Sequence, residues 1–293
     1  MPIPESQLQT WSNQGAVTSS KNTHESLRRA IDSFSNWSYD NIQYEMYLQG
    51  SYRNSTNIYG DSDVDLVVEL NSVHYSNLTQ EQKRQLGFST VDYNWSKFRT
   101  DVIHALNNYY GSHLVDTSAS KSIKVLPSSG RLKADVVVCV TYRYYGQIPR
   151  YIEGITFWSI PENTQITNYP KLHYENGTTK NSNTNNWYKP TVRVFKNARN
   201  RLIQLMPEYD GNFPSYFIEC LLYNVPDSLY GRTYQLTFLS ALNWLIEQLE
   251  NNSVAEFTCQ NRIDFIFGSK ETQWNIQHAA LFLRSLVTMW SNW

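Results

Sequence analysis

Two aspartates spaced by two, Asp63 and Asp65, open the apolar run Leu66-Val67-Val68 in a stretch that begins at Gly50-Ser51 and reads G-S-Y-R-N-S-T-N-I-Y-G-D-S-D-V-D-L-V-V-E-L. In an extended strand, side chains two apart leave from one face, so the two carboxylates stand close together. Charge is costly to bury, and a buried strand that delivers two carboxylates from its start has a use for them. The chemistry such a pair suits is the holding of divalent cations, Mg2+ or Mn2+. Two such ions, roughly 3.5–4 Å apart, activate an attacking hydroxyl and stabilise a leaving pyrophosphate. Asp135, inside the otherwise apolar K-A-D-V-V-V-C-V, is read as a third metal ligand on a neighbouring strand. Upstream, Gly50 has no Cβ and lets the backbone approach phosphate oxygens. Ser51 adds a hydroxyl beside amides that can nest an anion. Asp61 shares the parity of Asp63 and Asp65 but follows Gly60, and is read as a turn residue.

Patterning predicts the elements that must position these groups. Leu27, Ala30, Ile31 and Phe34 fall at helical spacing over 20–34, and alternation over 44–49 gives a strand that feeds the Gly50-Ser51 turn. A strand over 65–70 carries the paired aspartates, and a polar piece over 72–93 reads as loop with short helix. Phe98, Val102, Ile103, Leu106 and Tyr109 mark one face of a helix over 96–110. A hairpin follows, with strands over 121–126 and 131–141 joined at Pro127-Ser128-Ser129-Gly130. The Asn- and Thr-rich run over 162–189 reads as a functional or disordered loop. Helices are predicted over 192–205, 215–223, 236–249 and 273–290. Strands in front and helices behind predict an α+β chain of two lobes, residues 1–160 and 161–293, with a ligand in the cleft between them.

The 293 residues suffice for one large domain or two lobes, and the net charge of −1 gives no chain-wide electrostatic footprint for duplex nucleic acid. Tyrosine is abundant, at 21 residues; these rings can pack with a wet hydroxyl or stack on bases. Cys139, Cys220 and Cys259 are far apart and form no C-x-x-C pair, which argues against a zinc module and fits a reduced cytoplasm. The polar start has no signal-peptide core, and no apolar run reaches the length of a membrane span.

Taken together, Gly50-Ser51, Asn54-Ser55-Thr56, Ser62-Asp63-Val64-Asp65 and Asp135 make the chain resemble the polymerase-β-like nucleotidyltransferases. More narrowly it resembles the bacterial CD-NTases, relatives of cyclic GMP-AMP synthase and oligoadenylate synthase, and among them the E clade. The resemblance implies a nucleotidyltransferase core over 1–160 and a helical lobe over 161–293. It implies that Lys196, in R-V-F-K-N-A-R, contacts a triphosphate. Ser215 and Tyr216, which open a helix, are implied to touch the γ-phosphate and to stack on a base. Asn168, before Tyr169-Pro170, is the candidate for reading uracil, since an amide offers both a donor and an acceptor. The implied activity is cyclic dinucleotide synthesis from ribonucleoside triphosphates, in which a 3′-hydroxyl attacks and pyrophosphate leaves. The product would act on a downstream effector in anti-phage signalling. The expected enzyme is a cytoplasmic monomer that needs neither a membrane nor a duplex nucleic-acid activator. Two other readings stand beside it: an enzyme that modifies an RNA end, a small molecule or a protein, and an inactive nucleotide-binding protein.

Overall fold

The computed structural model describes every residue except Ala16, Asp61, Ser62 and Glu271. The predicted turn at Asp61 and the Ser62 of the S-D-V-D motif lie outside the described residues. In chain order the helices are α1 (Glu5–Trp11), α2 (Thr18–Asp32), α3 (Gly50–Asn54), α4 (Gln80–Gln85), α5 (Trp95–Tyr110), α6 (Pro170–Asn183), α7 (Tyr188–Leu205), α8 (Ser215–Asn224), α9 (Tyr234–Glu250) and α10 (Ile276–Ser291). The strands are β1 (Tyr44–Leu48), β2 (Val64–Ser76), β3 (Val115–Asp116), β4 (Ile123–Val125), β5 (Ala134–Gln147), β6 (Arg150–Trp158) and β7 (Gln165–Asn168). The chain divides into two compact units. One comprises Ala16–Tyr52 and Ser62–Pro170; the other comprises Met1–Gly15, Arg53–Asp61 and Lys171–Trp293. The division after Pro170 falls ten residues later than the expected 160/161, and two earlier segments join the helical unit.

The first unit is built on one mixed sheet, ordered β1-β2-β5-β4-β3, with β6 pairing β5 and β7 pairing β6. β2 and β5 run parallel at its centre and are apolar on both faces, which is why their sequences read as nearly unbroken Val and Leu. On one face Val64, Leu66, Val68 and Leu70 pack with Val136, Val138 and Val140 beneath Leu27 and Ile31 of α2 and Phe98, Val102 and Leu106 of α5. The i, i+4, i+8 spacing of the α5 residues supplies its apolar stripe. Asn94 starts that helix, its side-chain oxygen accepting from the Lys97 amide at 3.1 Å. The other face carries a smaller cluster of Val67, Val137, Cys139, Ile155 and Phe157. Strand alternation puts Asp65 on the face of Val67, and Asp135 on the face of Val137.

The helical unit buries α7 most deeply, with Val192, Phe195, Ala198 and Leu202 all nearly inaccessible. Around it lie Phe217, Leu221 and Leu222 of α8, Phe238 and Leu242 of α9, and Phe282 and Leu286 of α10. Ile3 and Leu8 from the chain start belong to the same core. The run over 162–189, expected to be loop, is largely ordered as β7 and α6. Pro170 suits the first position of a helix, where its missing N–H is not needed. The buried residues of α6 are His173, Gly177 and Lys180, at helical spacing. The face is polar, so no apolar stripe announces it. Asn176 and Gln260 hold the helix instead, through Asn176 Nδ2 to the Gln260 carbonyl at 2.8 Å and Gln260 Nε2 to the His173 carbonyl at 2.7 Å.

Candidate active site

In the sheet unit, Asp65 and Asp135 are register partners on the parallel strands β2 and β5, so their carboxylates leave side by side from one face. Asp63 stands just before β2, and its Oδ2 accepts from Lys133 Nζ at 2.6 Å. Asp135 Oδ1 accepts from the Ser122 hydroxyl at 2.9 Å. The Lys133 ammonium is held above its ordinary pKa, first by the hydrogen bond to Asp63, against partial burial, and then by the charges of Asp63, Asp135 and Asp65. One ammonium thus lies in the combined field of all three aspartates. Among the described residues no three His, Cys, Asp or Glu side chains are already drawn to metal-holding distances. In kind, the donors suit Mg2+ or Mn2+. The donors are hard carboxylate oxygens from two adjacent strand starts, and a cationic group already sits among them.

Gly50 explains itself by that cluster. Its φ is +63°, and a Cβ there would lie 2.3 Å from Asp65 Oδ2. The expected turn is the first residue of the short α3, and the Gln49 amide binds the Asp65 carbonyl at 2.9 Å, so the Gly-Ser segment is tied to the carboxylate strand. Ser51, the next residue, is half-buried. Asn168 ends β7 with an exposed side chain and pairs with Ile155. Its backbone is pinned from across the ladder. A Cβ on Gly154 would meet the Asn168 carbonyl oxygen and the Tyr169 ring, each at 2.7 Å.

The remaining expected residues belong to the helical unit. Ser215 is the first residue of α8, and its hydroxyl accepts from Arg199 Nη2 at 3.3 Å; Arg199 Nη1 also donates to the Phe213 carbonyl at 2.7 Å. Tyr216 is 41% exposed, its ring 5.1 Å from His173 and 5.6 Å from Trp274. Lys196, implied by the resemblance to contact a triphosphate, lies deep in this unit. It is fully buried, and its Nζ donates to the Thr56 carbonyl at 2.9 Å. The cation beside Ser215 is Arg199, which sequence reasoning passed over although it follows Lys196 at i+3 on α7 and shares its side of the helix.

A second omission is Glu219, an acid within S-Y-F-I-E-C-L-L on α8. It is buried and accepts from Thr56 Oγ1 at 2.6 Å, Asn54 Nδ2 at 3.4 Å and His173 Nε2 at 3.1 Å. Burial alone would raise its pKa. The hydrogen bond and charge of His173, the Lys196 ammonium and the Thr56 hydroxyl together hold it below the ordinary value. The signal that could have found Glu219 is the one that found Asp135, a carboxylate in an apolar run.

Family models match both parts of the chain. Residues 27–125 match the nucleotidyltransferase domain, and residues 175–291 match the cGAS/DncV-like nucleotidyltransferase C-terminal helical domain. The chain is 51% identical over 297 residues to the cyclic UMP-AMP synthase of Rhodothermus marinus, spanning 100% of this chain and 99% of that protein. It is 38% identical over 305 residues to the cyclic nucleotide synthase CdnE01 of Staphylococcus haemolyticus, spanning 100% of both. It is also similar to a solved structure of Rhodothermus marinus CdnE c-UMP-AMP synthase with Apcpp and Upnpp. The TM-score is 0.92 at 50% identity, covering 100% of this chain and 98% of that one. Among the described residues no helix is long and apolar enough to cross a membrane.

Proposed function

The chain belongs to the CD-NTase family, among its CdnE-type cyclic nucleotide synthases, and from that premise we propose that it joins a uridine and an adenosine nucleotide into a cyclic dinucleotide. The observation that carries the chemistry is the in-register pair Asp65 and Asp135, with Asp63 two residues upstream on the same chain. The base choice is supported by the 51% identity to a protein named for uridine and adenosine products.

Asp63, Asp65 and Asp135 would hold Mg2+ or Mn2+, which when bound neutralises charge at the α-phosphate and the departing pyrophosphate. Within the sheet unit Gly50 and Ser51 offer contacts to triphosphate oxygens; within the helical unit Ser215, oriented by Arg199, offers its hydroxyl to a phosphate. Tyr216 offers its exposed ring to a base, and Asn168 offers an amide to a uracil edge. A ribose hydroxyl of the second nucleotide attacks the α-phosphorus, pyrophosphate leaves, and the hydroxyl proton departs through the carboxylate cluster. The linear product then turns and closes by the same chemistry. Positioning and charge neutralisation dominate transfers of this kind. The product serves as a second messenger for a downstream effector in anti-phage defence, a role supported by the family resemblance.

The test is incubation with all four ribonucleoside triphosphates and Mg2+ or Mn2+, phosphatase treatment and mass spectrometry. A phosphatase-resistant cyclic U–A species is expected. It should vanish in Asp63→Asn with the circular dichroism spectrum unchanged. A different cyclic pair overturns the base assignment. Only linear products or tailed RNA overturn the synthase assignment, and full turnover by Asp63→Asn overturns the carboxylate roles.

A further inference from the structure

The segment Arg53–Asp61 joins the Gly-Ser turn to Asp63, yet it is counted with the helical unit. Its polar residues are buried: Asn54 is 6% exposed, Thr56 1% and Asn57 0%. Glu219 binds the Asn54 and Thr56 side chains through its two carboxylate oxygens. Lys196 takes the Thr56 carbonyl and Arg193 Nη1 the Ser55 carbonyl, the latter at 2.5 Å. Ser55 between them has a φ of +57°, a left-handed conformation that a non-glycine residue keeps only when its surroundings determine it. Asn57 accepts from Gln14 Nε2 at 2.8 Å, and its carbonyl from the Gly15 amide at 3.0 Å. The segment is thus clamped on both side chains and backbone, and the centre of the clamp is one buried carboxylate.

We propose that Glu219 is a positioning residue of the nucleotidyl-transfer site: by accepting from Asn54 and Thr56 it fixes the course of the chain over residues 54–57, in the spacer that separates the Gly50-Ser51 turn from Asp63 in the sequence. This rests on the nucleotidyltransferase reading above. A buried ionic cluster of this kind is a poor source of stability, because apolar residues of similar volume commonly do as well or better. What it supplies is direction. The two oxygens of one carboxylate specify where two side chains of the spacer point. The same Oε2 also receives His173, whose ring lies against Tyr216, so one carboxylate orients the spacer and the ring offered to a base.

The experiment compares the full chain with Glu219→Gln, Thr56→Val and the double variant. Product formation gives kcat and KM, thermal melting reports integrity, and hydrogen exchange is followed over residues 53–61. The expected result is a cooperative melt for each, a kcat loss of about 10–100-fold in each single variant, and KM little changed. The double variant should be no worse than the worse single one, because both remove one interaction. Exchange over 53–61 should rise in Glu219→Gln. Additive kcat losses, wild-type kcat in both singles, or unchanged exchange over 53–61 would overturn the proposal. If Glu219→Gln does not fold, Thr56→Val decides alone, since it removes only the hydroxyl; wild-type kcat there overturns it. Failure of the wild type to make any cyclic product defeats the function reading instead.

Discussion

Replacing Gly50 by alanine isolates the geometry of the carboxylate cluster from the general cost of changing a turn. The new Cβ would stand 2.3 Å from Asp65 Oδ2, whereas tolerated contacts begin at 3.0–3.4 Å, so the carboxylate must retreat by about 0.7–1.1 Å. A misplacement of ~1 Å at a reacting centre costs on the order of 100-fold in rate, which is about 2.7 kcal/mol of barrier. Alanine at a φ of +63° also carries a backbone penalty, about 1–2 kcal/mol for a left-handed residue. Gly87→Ala is the control, because Gly87 has a φ of +69° with nothing within 4 Å of the added Cβ. Both variants should melt a few degrees below wild type, at roughly 2–4 °C per kcal/mol for a unit of this size. Only Gly50→Ala should lose turnover, read as labelled cyclic product per minute at saturating nucleotide and Mg2+. Wild-type turnover by Gly50→Ala, with a melt equal to that of Gly87→Ala, would refute the claim that Gly50 exists to admit the Asp65 carboxylate.

Asn168→Ala should weaken use of the pyrimidine nucleotide by up to about tenfold, the worth of one lost hydrogen bond, and leave ATP use intact; equal losses for both nucleotides in competition assays would remove Asn168 from base reading. Glu219 has a folded pKa below its ordinary 4.5, so its ionised form contributes stability that is present above that value and is lost as pH falls through the lower folded value. The groups facing it are His173 of α6, Tyr188, Lys189 and Lys196 of α7, Cys220 of α8 and the Asn54 and Thr56 side chains. Denaturant unfolding between pH 6 and 3 should therefore be less steeply pH-dependent in Glu219→Gln than in wild type, and identical slopes would show that Glu219 is not the group being protonated.

The sheet, its flanking helices and the helical core were legible because apolar residues recur at the period of each element. β2 and β5 read as Val-rich runs, α5 as an i, i+4, i+8 stripe, and Asp65 and Asp135 stood out as acids inside such runs. β7 and α6 were not legible, since α6 buries His173, Gly177 and Lys180 rather than Leu or Ile, and hydropathy has no period to report there. The anchoring of Thr56 was invisible for a different reason. Its partner Glu219 is 163 residues away, and a hydroxyl–carboxylate bond at that separation leaves no local pattern. What Lys196 and Arg199 each reach likewise depends on burial, which the sequence does not show. Residues three apart on α7 share a side, but Lys196 reaches the Thr56 carbonyl while Arg199 reaches Ser215.

Lys196→Met separates a phosphate ligand from a buried anchor. A lysine that binds triphosphate from solvent loses affinity on replacement while the fold stays unmoved, so KM for nucleotide rises and the melt is unchanged. Lys196 is instead inaccessible, bonded to the Thr56 carbonyl and near enough to Glu219 to lower that group's pKa. Methionine fills much the same volume, so little is lost in packing. The loss is electrostatic: Glu219 keeps its negative charge with less to balance it. Removing one member of a direct buried ion pair costs about 3–5 kcal/mol. Lys196 acts on Glu219 through its charge, and His173, Asn54 and Thr56 still contact the carboxylate, so the expected loss is smaller than that. The variant should therefore unfold at a clearly lower denaturant midpoint, and kcat should fall with the disturbed spacer while KM moves little. The further change Glu219→Gln should restore part of the lost stability, because it removes the charge that Lys196 had balanced. An unchanged midpoint with a raised KM would return Lys196 to the triphosphate and leave the spacer to Glu219 and Arg193.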